Sequence, residues 1–126
     1  MYLRADEISD AHRAKVGGKA YALSVMHGRG ITVPPFVSIT TDAYERFVSE
    51  TGLRSRIVLE LHRKELHQMR WEEIWDTALR IRNAFLRTRL PPALEQRLAG
   101  LLSAEFGSRP VSVRSVSYTH LTLPTN

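Results

Sequence analysis

Cysteine is absent from the 126 residues, which rules out a disulfide-stapled scaffold and any zinc or iron–sulfur site held by thiolates. That absence fits a reducing compartment, and a cytoplasmic location is expected. Long apolar runs are missing too: no stretch approaches the roughly 18 consecutive apolar residues of a membrane span. The opening Met1-Tyr2-Leu3-Arg4-Ala5-Asp6-Glu7 carries charge early and lacks the apolar segment of a signal peptide. There is no internal repeat, no low-complexity tract, and no Ser/His/Asp or Cys/His set for nucleophilic catalysis. His62 and His67 stand five residues apart rather than at the i, i+4 spacing of paired helix ligands, so the histidines are read as surface residues and no metal site is assigned.

What is present describes an ordinary globular chain: 43% apolar and 25% charged residues are enough for a domain with a core. The net charge of +5 is uneven. Residues 1–50 hold six basic and six acidic side chains, whereas residues 51–109 hold eleven basic against seven acidic. Arg80, Arg82, Arg87 and Arg89 fall in one expected helix. They read as a solvated face rather than a nucleic-acid face, because no recognition motif accompanies them. A small basic helical module that binds nucleic acid or a protein partner through residues 54–89 is the rival reading.

The stretch Val16-Gly17-Gly18-Lys19-Ala20-Tyr21-Ala22-Leu23 carries the most chemistry. Gly17 and Gly18 can take positive φ and let a ligand approach the main chain. The helix expected over residues 18–27 then offers unpaired N–H groups and the positive end of its dipole to that space, with Lys19 adding a full charge. A phosphate-bearing ligand is the functional reading. The loop is not a Walker A sequence: Arg13 stands where its first glycine belongs, and Ala20 where Ser or Thr is required.

In chain order, a short strand is expected near Tyr2-Leu3, followed by a polar connection and the helix over 18–27 that Gly28-Arg29-Gly30 stops. A strand of about five residues follows within Ile31–Thr40, where Phe36, Val37 and Ile39 favour an extended chain. The next helix is capped by Thr41 or by Asp42 with Glu45, turns Ala43, Tyr44, Phe47 and Val48 inward and ends near Gly52. Leu53, Ile57, Leu61 and Leu66 mark one core stripe, and Trp71, Ile74, Trp75, Ala78, Ile81 and Phe85 another. On this spacing Trp71 and Trp75 are core rather than an aromatic binding box. Pro91-Pro92 separates that helix from a last one buried through Leu94, Leu98, Leu101, Leu102 and Phe106, which Gly107 closes. Pro110–Ser115 then reads as a strand ending on Arg114, whose fork of donors suits phosphate oxygens at a sheet rim.

Four pieces stand in a fixed order: V-G-G-K-A at 16–20, the helix ending in G-R-G, V-P-P-F-V-S-I-T-T at 33–41 with A-Y-E-R-F at 43–47, and P-V-S-V-R-S at 110–115. Together they resemble the start of the pyruvate, phosphate dikinase and phosphoenolpyruvate synthase family, over residues 1–115. The resemblance implies an α/β (α+β) fold: the N-terminal part of an ATP-grasp nucleotide-binding domain, with short strands and a helix-rich middle. It implies ATP as the ligand, with Gly17, Gly18, Lys19 and Arg114 as binding residues and with Lys19 and Arg114 facing a common cleft. It also implies Mg2+ held by ligands outside this sequence, and pyruvate or another phosphoryl acceptor reached through a phosphohistidine in a domain not present here.

The sequence departs from the family pattern in two places. The glycine usual between proline and phenylalanine is missing at Pro35-Phe36. After Ser115 the acidic, Gly-containing continuation is replaced by Val116–Asn126, which resembles translated adapter read-through, so residues 116–126 are expected to be a non-native tail and the chain a truncated piece.

Overall fold

The structure, a computed structural model, describes residues 1–115; the expected non-native tail over 116–126, with His120, lies outside them. The chain divides into two compact units, one formed by Met1–Ala43 with the chain from Ala99 onward, the other by Tyr44–Leu98. The described architecture is mixed and helix-rich, with a small antiparallel sheet.

In the first unit, strand β1 (Tyr2–Arg4) pairs with β2 (Val37–Ile39) in the register Tyr2↔Ile39, Leu3↔Ser38 and Arg4↔Val37. The ladder is extended by Thr40, whose N–H donates to the Met1 carbonyl at 2.8 Å and whose hydroxyl donates to the same oxygen at 3.0 Å. The strand expected within Ile31–Thr40 is thus three residues long, because Pro34 and Pro35 have no N–H to give a ladder. Two single 3-10 turns, Ala5–Glu7 and Asp10–His12, lead into helix α1 (Arg13–Gly28). Ser24, buried on α1, directs its hydroxyl at the carbonyls of Ala5 (2.7 Å) and Ile8 (3.1 Å), fixing the helix to this entry segment. At its end Gly30 takes φ 77°, its N–H donates to the His27 carbonyl, and the Ile31 N–H donates to Met26. That pair of bonds is a Schellman termination and fulfils the expectation for Gly28-Arg29-Gly30.

Helix α2 (Thr41–Glu50) begins at Thr41, so the residue preceding it is Thr40 rather than the expected Thr41 or Asp42. The Thr40 hydroxyl is already committed to Met1, and Asp42 pairs with Lys15 at 3.3 Å instead. Helix α5 (Pro92–Phe106) opens on a proline at its first position, where the missing N–H costs nothing, and buries Leu94 and Leu101. Leu102, expected inside, is largely exposed. In the first unit Arg4 holds Glu105 of α5 through its Nε at 2.8 Å and through a second, closer guanidinium contact.

The second unit is built on a small core of Val48 from α2, Leu53 from α3 (Leu53–Leu61) and Ala84 from α4 (Trp71–Arg87), with Phe47 and Phe85 packed against it. Tyr44, expected inward, is half exposed and stacks on Phe85 with ring centroids 6.2 Å apart. The phase of the middle helices differs from the sequence expectation. Leu61 and Leu66 are exposed, and Trp71 and Trp75 are 67% and 65% exposed, so neither tryptophan is a core residue. The inner face of α4 carries Thr77 and Ala84 buried, with Ile81 and Phe85 half-buried. Small and polar side chains line the buried face of α4, which packs against α3, and such a face suits close helix approach rather than indole rings.

Candidate functional site

Residues Arg13–Gly28 form α1, but the helix is interrupted at Gly17, which takes φ 78°, ψ 166°. This region of backbone space is essentially restricted to glycine, because any Cβ collides with the neighbouring carbonyl groups. The interruption resets the helix. Gly18 and Lys19 therefore lie in the first turn of the helical run that follows the break, the position at which helices generally leave N–H groups without an intrahelical acceptor. The expectation of positive φ holds for Gly17 and not for Gly18, which is helical. Nothing lies within 4 Å of where a Gly18 side chain would project, so the backbone there borders open space.

Lys19 is half-buried. Of the chain's three lysines, Lys15 pairs with Asp42 and Lys64 with Glu73, whereas Lys19 forms no hydrogen bond or ion pair among the described residues. A half-buried cation whose ammonium lacks a carboxylate, set at the positive end of a helical run, leaves a local field that favours an anion. Beside this break Arg13 lies over the Tyr21 ring at 5.2 Å, and the Tyr21 hydroxyl donates to Asp10. That hydrogen bond, with partial burial, raises the Tyr21 pKa above its ordinary value. The Arg13–Tyr21–Asp10 group flanks the glycine break and escaped the sequence reading, because helical spacing cannot be counted across a residue that is not helical.

Arg114 is exposed, and no strand forms over 110–115. Val111 and Val113 are 46% and 92% exposed, so they cover no core there. An extended segment becomes a strand only by hydrogen bonding to a neighbour, and the ladder among the described residues consists of β1 and β2 alone. Arg114 belongs to the same unit as Lys19, and no hydrogen bond or ion pair of either is formed among the described residues.

The second unit holds a cavity of about 250 Å³ lined by Arg63, Lys64, Glu73, Asp76, Thr77 and Arg80, among others. Neither Lys19 nor Arg114 lines it. Its cations are neutralised from within: Glu60, buried, accepts from Arg80 Nε at 2.8 Å and pairs with Arg63 at 3.1 Å, while Lys64 holds Glu73 at 3.1 Å. The Arg80 hydrogen bond and the Arg63 and Arg80 charges hold the Glu60 carboxyl below the ordinary carboxylate range, against its burial. Such a self-paired cluster is structural, and it removes Arg80 from any cationic face that a nucleic acid would meet. Among the described residues no group of three or more His, Asp or Glu side chains is arranged to hold a metal ion, and no helix is long and apolar enough to cross a membrane.

Comparison with known proteins matches residues 13–120 to the AMP/ATP-binding domain of pyruvate phosphate dikinase. The chain belongs to that family. The matched stretch of this dikinase family begins at Arg13, the first residue of α1, and so includes the glycine break and Lys19. Among curated relatives, phosphoenolpyruvate synthase of Aeropyrum pernix is 38% identical over 98 residues, covering 78% of this chain and 12% of the relative. A probable phosphoenolpyruvate synthase of Staphylothermus marinus is 30% identical over 112 residues, covering 86% of this chain and 13% of the relative. A third, from Methanocaldococcus jannaschii, is 42% identical over 52 residues, covering 41% of this chain and 4% of the relative. The chain thus spans only 12–13% of the length of the first two relatives it matches.

Proposed function

We propose that this chain is the ATP-binding portion of a dikinase resembling phosphoenolpyruvate synthase, with Gly17, Gly18, Lys19 and Arg114 contributing to the nucleotide site. The single observation that carries the reading is the Gly17 break in α1, which sets an unpaired, half-buried lysine in the first turn of a helical run bordered by open space. These residues fit a polyphosphate. Backbone N–H groups at the break would donate to its oxygens, and Lys19 would neutralise part of its charge. Phosphoryl transfer is mostly positioning and charge neutralisation, so a second cation such as Arg114 is the complement such a site needs.

In a complete dikinase of this family the phosphoryl group would pass from ATP to a histidine in a separate domain and then to pyruvate or another acceptor. None of this chain's histidines is assigned that role, and Mg2+ would take its ligands from the remainder of an ATP-grasp domain. The Aeropyrum pernix relative is a phosphoenolpyruvate synthase, which supports pyruvate as the acceptor. Residues 116–126 are proposed to be foreign to the domain.

Calorimetric titration of the 126-residue chain with ATP tests the site. Binding that is lost in Lys19→Ala and weakened in Arg114→Ala, with circular dichroism unchanged, is the expected result. Loss of one charge-assisted contact should cost about 1.5–3 kcal/mol. Equal ATP affinity in the wild-type chain and in Lys19→Ala would remove the lysine from the site, and a steeply salt-dependent affinity for duplex DNA with no nucleotide binding would support the basic-module alternative.

A further inference from the structure

Helix α4 presents two faces. One closes on the core through Thr77, Ile81, Ala84 and Phe85; the other carries Trp71, Trp75, Leu79 and Leu86, respectively 67%, 65%, 47% and 73% exposed. At 100° per residue these four side chains and Arg82 fall within an arc of about 80°, a continuous stripe some 22 Å long. The two indoles meet edge to face with centroids 6.0 Å apart, so the upper half of the stripe is a preassembled aromatic surface. Contiguous apolar surface of this kind on one helix face marks an interface.

We infer that this face of α4 is a docking surface for a part of the longer parent polypeptide beyond these 126 residues, an apolar surface rimmed by carboxylates. The inference rests on the dikinase reading for the existence of a longer parent. Three observations choose the occupant. The stripe lies inside the matched domain, yet the chain covers only 12–13% of the first two relatives, so most of a complete polypeptide is available to cover it. Both tryptophans, the largest apolar side chains of the chain, are exposed while Val48, Leu53 and Ala84 form the second unit's core, so the indoles are not used by the packing among the described residues. The stripe is also predominantly cationic: Arg82 sits within it, Arg70 precedes it, and Arg87 and Arg89 follow its end, against Glu72 beside its first turn. None of these four arginine side chains pairs with a carboxylate among the described residues. Two copies of the face would therefore bring Arg82 of each copy into one apolar seam, which disfavours a second copy and favours an acidic partner surface.

Trp71 and Trp75 are the only tryptophans in the chain, so tryptophan emission reports on this face alone. For the 126-residue chain, emission typical of water-exposed indole, ready quenching by acrylamide and a monomeric sedimentation coefficient are expected. A blue shift that grows with protein concentration would overturn the inference in favour of self-association, and a buried spectrum at every concentration would overturn it by showing the face already covered within the chain.

Hydroxyl-radical footprinting, read by mass spectrometry, then compares the chain with a chimera in which it replaces the matched segment of the complete Aeropyrum pernix relative. Oxidation of Trp71 and Trp75 should fall several-fold in the chimera, and undiminished oxidation in a folded chimera overturns the inference. Should the chimera fail to fold, glutamate is placed at the two positions of the complete relative aligned with Trp71 and Trp75. A lowered thermal midpoint is then expected, and an unchanged one overturns the inference. ATP binding by the 126-residue chain is measured separately, so a failed nucleotide site and a face without an occupant give different results.

Discussion

The consequence of a single backbone conformation is most exposed at Gly17 and Gly18, which are adjacent, chemically identical and differently used. Gly17 occupies φ 78°, ψ 166°, so Gly17→Ala should destabilise the first unit by roughly 1–3 kcal/mol, the cost of forcing a side chain into that region. Gly18 is helical and has open space where a Cβ would go. Gly18→Ala should therefore leave the fold unharmed or raise its stability by roughly 0.5–1 kcal/mol, from helix propensity. On the proposed nucleotide reading the added methyl stands where the ligand must approach the main chain, so ATP affinity should fall. Thermal melts and ATP titration of the two variants check this, and a Gly18→Ala chain that binds ATP as well as wild type would place the ligand elsewhere. The break in the helix was legible in the sequence, because two adjacent glycines ahead of a helix-forming run leave the backbone free to leave helical geometry. The strand expected to end on Arg114 was not legible: it required a neighbour, and local sequence does not say whether one exists.

At the scale of elements, the period of α4 could be read from the sequence and its phase could not. Trp71, Ile74, Trp75, Ala78, Ile81 and Phe85 do recur with a helical period, but the helix has a second apolar arc, and the buried one includes Thr77 and Ala84, which hydrophobic counting passes over. Substitutions separate the two arcs. Leu53→Ala, in the core of the second unit, should cost about 2–5 kcal/mol, while Trp75→Ala in the isolated chain should stay within about 0.5 kcal/mol. Equal losses would restore the tryptophans to the core.

The α3–α4 ion cluster adds a pH dependence whose sign follows from its cause. Hydrogen bonding to Arg80 and the neighbouring arginine charges lower the folded Glu60 pKa from its ordinary 4.5. The Glu73 carboxyl is lowered too, first by the Arg70 backbone N–H at 2.8 Å and then by Lys64. Groups with depressed folded pKa values contribute stability that is fully present above the unfolded value of 4.5 and lost as pH falls through the folded values. Denaturant melts should therefore be level above that pH and decline below it. Glu60→Gln should flatten the decline and should also lower stability near neutrality, since Arg63 and Arg80 lose their shared acceptor. A Glu60→Gln chain with an unchanged acid profile would show that the cluster contributes nothing.

For the whole molecule, the question that bears on function is where the domain's own sequence ends. Two observations pull apart. The dikinase-family match runs to residue 120, whereas the V-R-S pattern stops at Ser115 and the threonine-rich run after it departs from the family's acidic continuation. Every element among the described residues lies between Tyr2 and Phe106, and Arg114, the last residue of the proposed site, also precedes position 116, so if 116–126 is foreign, removing it should cost neither fold nor ligand. Truncation after Ser115 is therefore expected to leave the thermal midpoint, the tryptophan emission and the ATP affinity of the chain as they were. Were the midpoint instead to fall by several degrees, residues 116–120 would be part of the domain as the match suggests, and the proposal of a foreign tail would have to retreat to the residues beyond His120. Sequencing the source gene across codon 115 gives an independent answer, because an authentic reading frame through Val116–Asn126 would make those residues native and end the proposal of a foreign tail.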